Sequence, residues 1–401
     1  MTDSEELGRF RAEVQGWIAR NRPAVPGFKL PQTFLEVENA DQLAYHRDWQ
    51  AKVYDAGYLG FDVPEEYGGR GIQPERKSIV EQELSRARAP FFVNFLALTW
   101  VAPTLLTFGT EAQKSKLLRP LLRGDEIWCQ GFSEPNAGSD LASLTTRAVK
   151  TATGWEVTGH KVWTTLAHFA KWMILLARTN PDVNKYAGLS YFLFPMDAPG
   201  VTVQPLLKMT REGGFNQVLF ERAPMPSDCL LGEEGQGWNI ALTTLMFERG
   251  AAESSSRERA SALLEQLKRL VALAQRTQRS GRPVSLDPVF RERIAQLWIE
   301  ASAMGLSGLR SGVSDLTSER PLALPLMNKL AASEWNQRLA ELACEMLGPD
   351  AMLGVDDPRA PDRGEWPRAF MNSFGMTIGG GTSEILRNII GERVLGLPKS
   401  K

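Results

Sequence analysis

The hydrophobic period of this chain changes twice, and that change limits the fold more than any single motif. From residue 1 to about 125, apolar residues recur at helical spacing in "LGRFRAEVQGWIAR" and "FGTEAQKSKLLRPLLRG", interrupted by the Pro/Gly-rich "LGFDVPEEYGGRGIQPE". From about 126 to 236 the texture becomes short runs such as "KWMILLART", "LSYFLFPM" and "GVTVQPL", divided by Gly, Pro, Asn and Asp, as strands are. From 237 onward the helical period returns. Leu263, Leu264, Leu267, Leu270 and Val271 make one face, and Ile294, Leu297, Trp298, Ala301 and Met304 a second. Leu339, Leu342, Ala343, Met346 and Leu347 make a third, stopped by Gly348 and Pro349. The pattern predicts a mainly α protein with a central β domain: helical over 1–125, strand-rich over 126–236, and an up-down helical bundle over 237–401.

Charge and cysteine usage narrow the function. Forty-six Lys+Arg against 47 Asp+Glu leave a formal net charge of -1, so no overall basic field favours nucleic acid or an anionic membrane, and a small-molecule ligand is expected. Cys129, Cys229 and Cys344 lie far apart without CxxC spacing, which suggests neither a disulfide framework nor a zinc module. No uninterrupted apolar run is long enough to span a bilayer, and the start lacks a signal-peptide core; a cytoplasmic protein without membrane insertion is expected. His46, His160 and His168 form no metal-ligand pattern, so no metal is expected. Phosphate-loop, nucleophile-elbow and GxGxxG signatures do not occur.

Three stretches carry the chemistry. "GMTIGGGTSEILRNIIGERVLGLP" (375–398) reads as a glycine turn opening an amphipathic helix through Ile385, Leu386, Ile389, Ile390 and Val394. Unpaired amides and a positive dipole end suit such a turn to an anion. "CQGFSEPNAGSDLASL" (129–144) crowds hydroxyls and backbone amides into one loop, which suits a polar heterocycle or an ordinary β-turn alike. "GHKVWTT" (159–165) sets Trp163 beside two threonine hydroxyls, suiting a planar ring and equally a strand.

Taken together and in order, "SEPNAGSD", "GHKVWTT", "GEEGQGW" and "GGTSEILRNIIGERVLG" closely resemble the acyl-CoA dehydrogenase family, over nearly the whole chain. The resemblance implies a helical N-terminal domain, a middle β-barrel domain and a C-terminal four-helix bundle. It also implies one FAD per active site, an acyl-CoA thioester oxidised to trans-2-enoyl-CoA, and electrons passed to an electron-transfer flavoprotein. Carried over by position, Gln130, Phe132 and Ser133 meet the isoalloxazine, and Ser139 meets the flavin or the CoA. Trp163, Thr164 and Thr165 cover the ring, with the Thr165 hydroxyl near N5, while Thr382 and Glu384 meet the adenine end.

The base is displaced. Many members carry a glutamate immediately before the Gly-Thr of the last motif, where this chain has Gly380. In the isovaleryl- and long-chain-type branches the base lies on a bundle helix, in a Glu-Arg pair matched here by Glu248 and Arg249 in "ALTTLMFERGAAE". Glu248 is therefore the expected α-proton base. Arg249 lies beside it, and the Gly380 N–H remains to polarise the thioester oxygen.

Two departures touch the contacts that relatives make across subunits. "CEMLGPD" brings Glu345 and Pro349 where many members have Gln in a Gly-Gly turn, and Arg276, Arg279 and Arg282 compete for one arginine role. The partner is accordingly expected to be another copy, in a dimer or tetramer, or a related chain in a heteromer. Phe95, Leu96, Leu98 and Trp100 are candidate acyl-pocket or core residues. An acyl-CoA oxidase, or a non-catalytic subunit of a heteromer, are the competing readings.

Overall fold

A computed structural model describes residues 3–248, 256–310, 313, 323–355 and 357–399. They form two compact units, dividing after Glu248.

The first unit starts with helices α1 (Asp3–Asn21), α2 (Ala40–Asp55) and α3 (Pro74–Arg86). The Asn39 side chain caps α2 and Pro74 sits in the first turn of α3, where its missing N–H costs nothing. Val14 and Ile18 of α1 pack with Trp49, Val53 and Val80 in one cluster. Between α2 and α3, β1 (Asp62–Val63) and β2 (Gly71–Ile72) pair around the "PEEYGG" turn. Further on, Ala97–Val101 is wound as a π-helix that runs into α4 (Ala102–Phe108); the 3.6-residue period gives no sign of it. Helix α5 (Glu111–Arg123) opens on a Thr110/Gln113 capping box and stops at Gly124.

An eight-stranded sheet follows: β3 (Trp128–Gly131), β4 (Arg147–Lys150), β5 (Gly154–Thr165), β6 (Trp172–Arg178), β7 (Leu189–Pro195), β8 (Val201–Leu206), β9 (Phe215–Pro226) and β10 (Leu230–Leu231). Its order is β10-β7-β6-β4-β5-β9-β8, with β3 added alongside β6. Inward side chains of β3 to β7 and β9 meet in one cluster, so the sheet wraps around it like a barrel, with β8 and β10 as the ends of the strand order.

Strands β6 and β7 are buried on both faces, which explains their near-continuous apolar sequence. Met173, Leu175, Phe192 and Phe194 enter the barrel cluster. Ile174, Leu176, Tyr191 and Leu193 turn the other way, into a core shared with α4, α5 and helix α6 (Gly237–Glu248). A β-carbon on Gly237 would stand 2.5 Å from the Ser190 carbonyl carbon, so glycine lets α6 start directly against β7.

The second unit holds α7 (Ser256–Arg276), α8 (Pro288–Leu309), α9 (Ala323–Leu347), α10 (Glu365–Ile378) and α11 (Ser383–Ile389). Leu267, Leu270, Leu297, Ala301, Leu339, Leu342 and Met346 share its core. Trp298, expected on the core face of α8, is instead 45% exposed, because Phe290, Leu297 and Ala301 set a face that it misses by one position. The last helix runs as expected to Ile389 and then loosens into a π turn over Ile390–Val394.

Candidate active site

The loop after β3 is held from inside by a charge. Lys161, fully buried on β5, donates to the Phe132 carbonyl and the Glu134 carboxylate, both at 2.9 Å. Glu134 also accepts from the Thr145 N–H (2.7 Å), the Thr145 hydroxyl (2.8 Å) and the Thr146 N–H (2.8 Å). Burial alone would raise the Glu134 carboxyl, but the Lys161 ammonium and the threonine donors overcome it and hold it at about 2. Burial pulls Lys161 down to about 8, with Glu134 opposing, so the pair is charged at neutral pH. The Val162 N–H donates to the Ser133 carbonyl at 2.9 Å, closing the loop against β5. Sequence reasoning missed this pair. Its signal was strand parity, since Trp155 and Val157 point inward and Lys161 shares their side.

The sequence-predicted ring-facing residues sit around this brace. Phe132 is buried, Ser133 half-buried and Ser139 exposed. In the β5–β9 pairing the register slips by one residue between Lys161 and Thr164, and Trp163 takes φ +60° within that bulge. Bulges re-aim side chains, and this one leaves the Trp163 indole 63% exposed, edge-on to Phe215. Thr164 and Thr165 return to the interior. Among the described residues, the buried Gln130 Oε1 and Thr164 Oγ1 have no hydrogen-bond partner.

Glu248 ends α6, half-buried, with its Oε2 shielded from solvent. Arg249 lies outside the described residues. In the second unit Gly380 (φ +67°) and Gly381 (φ +97°) form the turn before α11, a conformation in which a β-carbon costs about 1–2 kcal/mol per residue. Lys329 of α9 donates to the Gly381 carbonyl at 2.7 Å, and the Thr382 hydroxyl caps the Ile385 N–H. Glu384 is exposed, its carboxyl held below the usual range first by its own N–H and then by the Thr382 hydroxyl. Of the three competing arginines, Arg276 pairs with Asp362 and Arg279 lies over the Phe290 ring, while Arg282 is exposed. Glu345 pairs with Arg293. Among the described residues no cluster of three His, Cys, Asp or Glu is placed to hold a metal, and no helix is long and apolar enough to cross a membrane.

Residues 29–125, 129–222 and 235–395 match the sequence families described as acyl-CoA dehydrogenase N-terminal, middle and C-terminal domains. The chain belongs to the acyl-CoA dehydrogenase family. It is 38% identical to the acyl-CoA dehydrogenase IpdE1 of Mycobacterium tuberculosis, over 100% of this chain and 99% of that one. Among solved structures it resembles the Tcur3481-Tcur3483 steroid ACAD, with TM-score 0.81, 27% identity and coverage of 99% and 98%. It also resembles the ChsE4-ChsE5 complex from Mycobacterium tuberculosis, with TM-score 0.78, 29% identity and coverage of 98% of each chain.

Acyl-CoA dehydrogenases are oxidoreductases with FAD as cofactor. The first unit fits that group: Gln130 and Thr164 offer buried polar atoms without hydrogen-bond partners, and the Trp163 indole faces outward. Trp163→Gly is expected to change stability by less than about 1 kcal/mol, because the ring is largely exposed and glycine accepts the backbone. If the indole covers the flavin ring, FAD affinity falls roughly three- to tenfold, for an aromatic contact of about 0.5–1.5 kcal/mol. Titrating the flavin-free chain with FAD by fluorescence, alongside a melting curve, measures both.

Proposed function

We propose that this protein is an FAD-dependent acyl-CoA dehydrogenase in which Glu248 removes the pro-R α-proton of an acyl-CoA thioester. The observation that carries the reading is a carboxylate with a shielded oxygen at the end of α6, in a chain whose Gly380 provides no acid–base group at the alternative position. FAD supplies the two-electron acceptor for the β-carbon. Gln130, Phe132, Ser133, Trp163, Thr164 and Thr165 hold its ring; Ser139 meets the flavin or the CoA; Thr382 and Glu384 meet the adenine end. The Gly380 N–H donates to the thioester oxygen, stabilising the charge that develops as the α-proton leaves. Arg249, the next residue in sequence, is a substrate-binding residue in this reading.

A branched or ring-bearing acyl group is the substrate we favour, since Gly380 places no side chain beside the α-carbon and one structural relative is a steroid ACAD. The electron acceptor is an electron-transfer flavoprotein and the compartment the cytoplasm. Of the two assemblies, another copy of this chain or a related chain, the second is favoured by the ChsE4-ChsE5 relative and by Glu345 and Pro349 in the turn that relatives use across the interface.

The test is anaerobic addition of straight, branched and steroid-side-chain acyl-CoAs to the purified protein. Bleaching of a yellow chain, fastest with the bulkier thioesters, is expected. A flavin that no thioester bleaches overturns the reading, oxygen uptake during turnover makes the enzyme an oxidase, and a colourless chain makes it the silent subunit.

A further inference from the structure

Beneath Glu248 lies a row of hydroxyls that the proposed chemistry leaves unused. The fully buried Tyr191 of β7 has its OH 3.1 Å from the Thr244 hydroxyl on α6, and Thr244 lies 3.1 Å from the Thr104 hydroxyl on α4. Thr104 donates to the Trp100 carbonyl at 2.7 Å, at the π-helical segment. Each hydroxyl carries one proton. With the Thr104 proton on Trp100, Thr104 is free to accept from Thr244, and Thr244 from Tyr191. The chain therefore runs in one direction, from phenol to carbonyl; the Ile240 carbonyl, 3.0 Å from Thr244, is the other acceptor for the middle proton.

Thr244 and Glu248 are one helical turn apart, and side chains at that spacing share a face about 5–6 Å apart. A phenol bonded to Thr244 is thus close to the Glu248 carboxylate, and that carboxylate is among the groups that raise the Tyr191 pKa, after burial. The other elements packed on α6 add little charge. The π segment, α4 and β7 carry no charged side chain, and Arg178 of β6 is bound to the Ala142, Leu144 and Lys185 carbonyls.

We propose that Tyr191 is a positioning residue whose proton Thr244 and Thr104 draw away from Glu248, so that the phenol does not lower the basicity of the carboxylate. This rests on Glu248 being the base. Without the Thr244 acceptor, the phenol turns its proton to the carboxylate and weakens it.

The experiment uses the FAD-loaded protein with a 3-thia-acyl-CoA, whose sulfur at the β-position blocks oxidation. In deuterated buffer the α C–H bond breaks, its electron pair passes toward the thioester oxygen, Glu248 takes the proton and a deuteron returns. NMR follows this exchange against pH. The infrared carboxyl band, taken as wild type minus Glu248→Gln without acyl-CoA, reports the carboxylate itself.

Thr244→Val is expected to slow exchange about tenfold and to move its acid limb and the carboxyl titration to lower pH, the factor belonging to one pKa unit. Tyr191→Phe/Thr244→Val is expected to bring both back toward wild type, and Thr244→Ser to recover what Thr244→Val loses. If Thr244→Val does not fold, Thr244→Ala removes the same acceptor and is expected to act in the same direction. Equal slowing in the single and double variants, or an unmoved limb, overturns the proposal and leaves the hydroxyls as packing. Wild-type exchange in Glu248→Gln overturns the base assignment instead.

Discussion

Lys161→Met is expected to destabilise the first unit by about 3–5 kcal/mol, the usual cost of stranding one member of a buried ion pair. Against a total stability of roughly 5–15 kcal/mol for a native domain, that is enough to leave the protein partly unfolded near body temperature. The loss comes from Glu134, whose carboxylate stays buried against Thr145 and Thr146 with the Lys161 ammonium gone. The intact pair need not contribute much net stability, because burying both charges offsets most of their attraction. Glu134→Gln/Lys161→Met is therefore expected to recover a large part of the loss, since glutamine still accepts from the threonine N–H groups without a charge to desolvate. Urea unfolding of the four members of the cycle measures it.

The same carboxylate sets an acid limit. Its folded pKa of about 2 lies below the unfolded value of about 4.3, so its stabilisation is complete above the latter and disappears as pH falls toward 2. Acid unfolding of the wild type is expected to steepen in that window. In Lys161→Met the Glu134 carboxyl rises once its cation is removed, and the onset of unfolding moves to higher pH.

Glu248→Gln is expected to slow flavin bleaching by acyl-CoA by about 10²–10⁴-fold, the range for loss of a positioned general base. Glutamine keeps the shape and hydrogen-bonding reach of glutamate, so flavin content and melting temperature are expected to stay near wild type. Anaerobic stopped-flow spectroscopy gives the rate, and the spectrum of the same sample gives the flavin content. A rate within a factor of three of wild type would mean that the base lies elsewhere.

Much of this was legible in the sequence because it depends on local rules. The helix–strand–helix order followed from period alone, and the end of α9 from Gly348. What was not legible depends on the third dimension. "KVWTT" reads as plain strand, but the bulge that turns Trp163 outward exists only through its register with β9. The π turn at Ala97–Val101 leaves no trace in a helical period. Nothing local links Lys161 to Glu134, 27 positions away in sequence; only the folded chain brings them together. The Tyr191 hydroxyl meets Thr244 of α6, itself beside Thr104 of α4, only in the folded chain.

The double-faced burial of β6 and β7 also bears on how such an enzyme can change. Successive residues along these strands answer to different neighbours: Ile174 and Tyr191 to helices, Leu175 and Phe192 to the barrel interior. Substitutions at alternate positions can therefore accumulate on the helical side, next to α6 and Glu248, while the intervening positions keep the barrel unchanged. The sheet separates two lineages of variation within one strand, so a new substrate can be accommodated on one face without renegotiating the scaffold on the other.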